Sequence, residues 1–226
     1  MSNHLEIELQ QLKGEMLEMW ELIHMQLKKG LEALKTNDND LAHEVVANEK
    51  RVNAYELKID RDCENIFALF QPVAVDLRCV LAVLKINTNL ERVGDFAEGI
   101  ARFALDLDET YDRALFEKTR LLEMFQEAIA MIEDVLVAFD KEDTKLARSV
   151  FKKDDLLDSI NKAASTVIAE YIKDHPDRIK QALHVLATIY KLERVGDHAK
   201  NIAEEIIFYI EAKVLKHKSK SEKRLL

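Results

Sequence analysis

The string LERVGD occurs twice, at Leu90–Asp95 and again at Leu192–Asp197. Each copy sets a glutamate four residues before an aspartate, Glu91 with Asp95 and Glu193 with Asp197. On a helix that spacing puts both carboxylates on one face. Like charges so placed repel by a few tenths of a kcal/mol when exposed, and by more when buried without a partner. Two cations answer that repulsion. Arg92 and Arg194 stand three residues before Asp95 and Asp197, the spacing of a surface salt bridge, and a metal ion is the other candidate. Gly94 and Gly196 lie between the carboxylates, where glycine costs a helix interior about 1 kcal/mol. The missing side chain serves either close approach of a neighbouring helix or room for a metal cluster or partner.

Only two prolines and five glycines interrupt the 226 residues, and Leu, Ala, Glu and Lys abound, which predicts an all-α chain. Apolar residues recurring every three or four positions mark six helical tracts, roughly 3–36, 39–70, 73–107, 112–140, 143–173 and 177–216. TNDND (Thr36–Asp40), DLDET near Asp108 and KEDT at Lys141 supply turns and N-caps between tracts. Pro72 and Pro176 punctuate the remaining joints. The halves superpose by sequence. Leu41-Ala42 answers Leu146-Ala147 at an offset of 105 (146 minus 41), and Glu91 answers Glu193 at 102 (193 minus 91). Two tandem homologous three-helix bundles packed side by side are expected, over residues 1–109 and 110–216, followed by a basic tail over 217–226.

Folding each second and third tract into a hairpin about its proline predicts which side chains share a height. Glu91 comes level with Asn53 and Asp95 with Glu49; in the second half Glu193 comes level with Asp158 and Asp197 with Asp154. Height does not fix face. Even so, each half stacks four oxygen-bearing side chains, a set suited to hard cations such as Mg, Ca, Mn or iron, whereas zinc usually wants His or Cys. The second set has four formal charges against three, so tighter metal binding is expected there.

Other chemistry is weakly represented. Glu21-Leu22-Ile23-His24 is a single Glu-x-x-His, where a ferritin-like di-iron core needs two. No Gly-rich phosphate loop, Gly-x-Ser-x-Gly or nucleophile with a base at readable spacing occurs. His198 answers Phe96 in the first half and reads as a packing or surface residue. Cys63 and Cys79 read as reduced core residues. The formal charge of -9, with signs interleaved, argues against nucleic acid as a partner. MSNHLEIELQ lacks the basic and apolar regions of a signal peptide, and the longest uncharged window, Asn65–Val75, is too short to span a bilayer, so a cytoplasmic location is expected. The terminal KVLKHKSKSEKRLL gathers Lys216, Lys218, Lys220, Lys223 and Arg224 as a solvated tail or a contact for an anionic membrane or partner.

QPVAVDLRCVLAVLKINTNLERVGDFAEGI (Gln71–Ile100), YKLERVGDHAKNIAEEIIFYI (Tyr190–Ile210) and VANEKRVNAYELKID (Val46–Asp60) resemble the helices of the PhoU family of phosphate-transport regulators, in order and over nearly the whole chain. The resemblance implies a homodimeric, non-enzymatic negative regulator of phosphate uptake and the phosphate-starvation response. It would couple the ATPase subunit of a phosphate ABC transporter to a sensor histidine kinase, in peripheral association with inner-membrane complexes. It also implies iron or zinc clusters on Glu91/Asp95, Glu193/Asp197 and Asp154/Asp158, with Glu49/Asn53 departing from the family's pattern; the all-oxygen donor set favours iron or another hard divalent cation. Two other readings compete. A carboxylate-bridged di-metal enzyme would need a substrate pocket and supporting histidines, and a purely structural helical bundle would tolerate loss of all the motif carboxylates.

Overall fold

The computed structural model describes residues 2–107 and 109–215. Seven helices account for most of them: α1 (Ser2–Thr36), α2 (Asn39–Phe70), α3 (Ala74–Leu105), α4 (Arg113–Thr119), α5 (Leu121–Lys141), α6 (Thr144–Asp174) and α7 (Ile179–Glu211), the last preceded by a 3₁₀ turn over Pro176–Arg178. Their starts are chemically marked. The carboxylates of Asp38, Asp112 and Asp143 accept hydrogen bonds from the backbone of Leu41, Ala114 and Lys145 respectively, filling donors that a helix start leaves open. Gln71, Glu142 and Ala212 take left-handed backbone at the C-termini of α2, α5 and α7.

One expected helix is two. The tract over 112–140 breaks at Arg120, whose φ is +55°. The break lets Leu115 and Phe116 on one side and Leu121 on the other all reach the interior. Buried Thr119 closes the short helix by donating its hydroxyl to Leu115 O at 2.7 Å. Non-glycine residues rarely adopt this conformation, so composition carries no signal for it. The final tract ends at Glu211 rather than at 216. The basic tail lies outside the described residues.

α1, α2 and α3 pack together, as do α5, α6 and α7 with α4 set against α6. The halves join through α3 on α7 and α1 on α5. One apolar core runs through both, from Leu12, Met16 and Trp20 to Phe125, Phe151 and Tyr171. The ring of Trp20 meets that of Phe139 across the joint, with centroids 5.7 Å apart. Cys63 and Cys79 are buried free thiols within the same core. α3 and α7 run antiparallel: Lys85 pairs with Glu205, Asn89 with His198, and Lys180 with Asp106. The two LERVGD strings therefore sit near the middle of the seam, related by a local pseudo-two-fold axis. The connection between halves is bolted down, since Gln181 accepts from the Asp112 backbone at 3.0 Å and Tyr171 donates to the Asp112 carboxylate at 2.7 Å. No helix among the described residues is long and apolar enough to cross a membrane.

Candidate functional site

Each LERVGD string turns Leu90 and Val93, or Leu192 and Val195, into the core and leaves its arginine in solvent. Arg92 reaches Asp95 at 3.0 Å and Arg194 reaches Asp197 at 3.0 Å. The salt-bridge reading therefore holds in both halves. Such exposed pairs contribute about 0–1 kcal/mol, and they leave the deeper carboxylates unexplained.

The glycines are explained by what lies opposite. A Cβ on Gly94 would stand 3.1 Å from Val52 Cγ1 and 3.4 Å from Glu49 Oε2; on Gly196 it would stand 2.6 Å from Leu157 Cδ2 and 3.2 Å from Asp154 Oδ1. Glycine thus lets the second helix of each bundle bring an apolar side chain and a carboxylate against the third. Glu49 and Asp154 are equivalent residues, and both are buried.

From that point the halves differ. Glu49 is 8% exposed, and neither of its carboxylate oxygens has a hydrogen-bond partner. Burial, with the charges of Asp95, Glu98, Glu91 and Glu56, pushes its carboxyl up to about 7. Glu91 and Glu56 are raised as well, each chiefly by burial and then by neighbouring carboxylates. The first bundle therefore holds a set of mutually repelling carboxylates around a buried, unsolvated member.

In the second bundle the buried aspartate is met by a cation. Lys200 Nζ lies 2.7 Å from Asp154 Oδ2 and 2.8 Å from Asp197 Oδ1. Burial works to lower the Lys200 ammonium, yet the bonds to Asp154 and Asp197 carry it above its ordinary value. Lys200 occupies the position equivalent to Glu98 (200 minus 98 is 102, the offset of the strings). At one structural position, then, the first repeat adds a carboxylate and the second an ammonium. Glu193 is raised by burial and Asp197, an effect that Arg194 and Lys200 oppose.

The sequence-predicted residues fall accordingly. Glu49, Glu91 and Asp95 come together in the first half, and Asp154, Asp158, Glu193 and Asp197 in the second, where the charge of Asp158 reaches Glu193. Asn53 is exposed; Glu56, one turn further along α2, is the neighbour whose charge reaches Glu91. Glu56, Glu98 and Lys200 are members that the string alone did not indicate. Glu98 and Lys200 were detectable, because they lie seven residues after Glu91 and Glu193 on the same helical face. The comparison of formal charges that favoured the second set omitted all three.

Among the described residues no three His, Cys, Asp or Glu side chains already converge as metal ligands. Side-chain rotation would have to bring them to an ion. The first set suits a hard cation, because the orphaned oxygens of Glu49 are desolvated acceptors that a cation would satisfy. The second set does not fit one as it stands, because the Lys200 ammonium already lies between Asp154 and Asp197. His24 packs between α1 and α5 with Nε2 3.8 Å from Glu133, and burial lowers its pKa. His198 lies against Phe96 with ring centroids 5.7 Å apart, and its Nδ1 is 2.8 Å from Asn89 Oδ1 across the seam, a packing role.

Comparison with known proteins matches the PhoU domain model twice, over residues 16–104 and 121–206. The phosphate-specific transport system accessory protein PhoU homolog of Burkholderia sp is 33% identical over 218 residues, covering 96% of this chain and 93% of that protein. The Escherichia coli K12 phosphate-specific transport system accessory protein PhoU is 31% identical over 216 residues, covering 96% and 89%. Among solved structures, PhoU from Pseudomonas aeruginosa aligns with a TM-score of 0.86 at 32% identity, covering 92% of this chain and 99% of that one. The phosphate transport system regulatory protein PhoU from Streptococcus pneumoniae aligns with a TM-score of 0.83 at 28% identity, covering 93% and 98%.

Proposed function

The chain belongs to the PhoU family, and from that premise we propose that it is a cytoplasmic accessory regulator of phosphate transport that restrains uptake and the starvation response when phosphate is plentiful. The observation that carries the reading is the double PhoU match, one per repeat, together with relatives named as transport accessory and regulatory proteins over nearly their full length. The proposed partners are a second copy of the chain, the ATPase subunit of a phosphate ABC transporter and a membrane sensor histidine kinase. The work is binding rather than catalysis. A bolted two-bundle body with a seam of charged side chains suits a protein that docks to others as a rigid unit.

The carboxylate sets enter as cation sites of unequal standing. Glu49, Glu91 and Asp95, with Glu56 and Glu98 beside them, would hold a hard divalent cation such as iron or manganese; zinc is disfavoured by a donor set without His or Cys. Bound there, such an ion supplies positive charge to a nest of carboxylates. Glu49 would anchor it from the buried side, and Glu91 and Asp95 would close over it from α3.

The test is a phosphate-starvation reporter in phosphate-rich cells that lack this chain. The reporter is expected to be derepressed and then silenced again by the wild-type gene. Silence in the deletion strain overturns the regulator reading. Complementation by Glu49→Gln/Glu91→Gln at equal protein level then asks whether the first carboxylate set takes part; full silencing by that variant removes it from the mechanism.

A further inference from the structure

We infer that Lys200 is the second repeat's built-in counter-cation, so that the carboxylates of Asp154 and Asp197 take no metal ion while its ammonium is in place. The inference rests on the reading above of the carboxylate sets as cation sites, and it separates the two sets by their own residues. Lys200 contacts both carboxylates at hydrogen-bond distance, and its side chain is 17% exposed while that of Asp154 is 1% exposed. An ammonium between two carboxylates occupies the place that a divalent ion would take, with shared hydrogen bonds in place of coordination. The equivalent residue in the first repeat, Glu98, cannot do this, and its charge adds to the repulsion around Glu49. Arg102 draws Glu98 aside at 2.6 Å and is itself exposed.

The surroundings show how Lys200 controls access. A depression of about 340 Å³ opens beside it, lined by Arg194, Asp197, His198, Asn201 and Glu204. Solvent reaches Asp197 from there, and Lys200 stands between that solvent and the deeper Asp154. If the ammonium is removed while the side chain's bulk is kept, the same path leads an ion to both carboxylates.

The test uses the full chain, stripped of metal, with the first set disabled by Glu49→Gln/Glu91→Gln. Mn²⁺ is titrated calorimetrically, and the fold is monitored by circular dichroism and gel filtration. That background is expected to show no saturable Mn²⁺ site. Adding Lys200→Gln is expected to create one equivalent of saturable binding, abolished by a further Asp197→Asn, whereas Lys200→Arg leaves the site closed. Binding in the background chain that Asp197→Asn removes, or no gain with Lys200→Gln, overturns the inference. Should the glutamine variant not fold, calorimetric Mn²⁺ titration of the otherwise wild-type chain, with and without Asp197→Asn, decides the matter. A single equivalent of binding that Asp197→Asn leaves unchanged supports the inference, and a further equivalent that Asp197→Asn removes overturns it. Absence of any saturable binding in the wild-type chain counts instead against the first set as a cation site, so failure of the two readings is told apart.

Discussion

The two bundles carry the same six residues on the same kind of helix, yet they solve opposite electrostatic problems. In the second, Asp154 is buried and answered by Lys200; in the first, Glu49 is buried at the equivalent place and surrounded by more carboxylates. A duplicated motif can therefore keep its backbone logic while its charge logic diverges at a single flanking position. The glycine, the leucine and the valine hold the helices together in both halves, and residue 98 or 200 decides what the carboxylates meet.

The largest expected contrast comes from that position. Lys200→Met removes the ammonium that meets buried Asp154, and loss of one partner from a buried pair costs about 3–5 kcal/mol. Glu98→Met removes only an exposed pair with Arg102 and relieves Glu49, so its net effect is expected to be near zero or stabilising. Urea unfolding of the two variants at pH 8 measures both, and equal losses would break the contrast.

Next in size is a pH effect confined to the first half. The folded carboxyl of Glu49 lies at about 7 against an ordinary 4.5, so the native state retains a proton that the unfolded state has released. Stability is then highest below the unfolded value, falls as pH rises from about 4.5 to 7, and levels off above. At roughly 1.36 kcal/mol per pH unit the loss over that window is on the order of 3 kcal/mol in metal-free buffer. Denaturation midpoints against pH should show this slope, and Glu49→Gln should flatten it.

The glycines give a smaller difference. Gly196→Ala drives a methyl to 2.6 Å from Leu157, and the overpacking outweighs the helix-propensity gain of about 1 kcal/mol, leaving a net loss of about 1 kcal/mol. Gly94→Ala meets Val52 at 3.1 Å and should lose less. Thermal melts of the pair rank them. Smallest of all, Arg92→Ala and Arg194→Ala should each change stability by about 0–1 kcal/mol, because both pairs are exposed; a change above 2 kcal/mol in the same melts would give the surface arginines the weight assigned here to Lys200.

Much of this was legible before the fold. Periodicity and punctuation located the helical hairpins, and mirroring about Pro72 and Pro176 placed Glu49 opposite Asp95 and Asp154 opposite Asp197. What it missed has physical causes. Mirror arithmetic gives height along a helix and not the face presented, so it did not reach Glu56, which lies one turn beyond the exposed Asn53. The break at Arg120 depends on backbone that glycine would have announced and arginine does not. Lys200 escaped notice because a lysine on a helix is ordinarily a solvated charge. Only burial beside Asp154 makes it a structural cation.

The asymmetry is tested most directly by neutralising the two equivalent buried carboxylates, Glu49→Gln and Asp154→Asn, and measuring unfolding free energy at pH 8 without metal. Opposite signs are predicted: Glu49→Gln stabilises by relieving repulsion, and Asp154→Asn destabilises by depriving Lys200 of its buried partner. Destabilisation by both, or no effect from either, would contradict it.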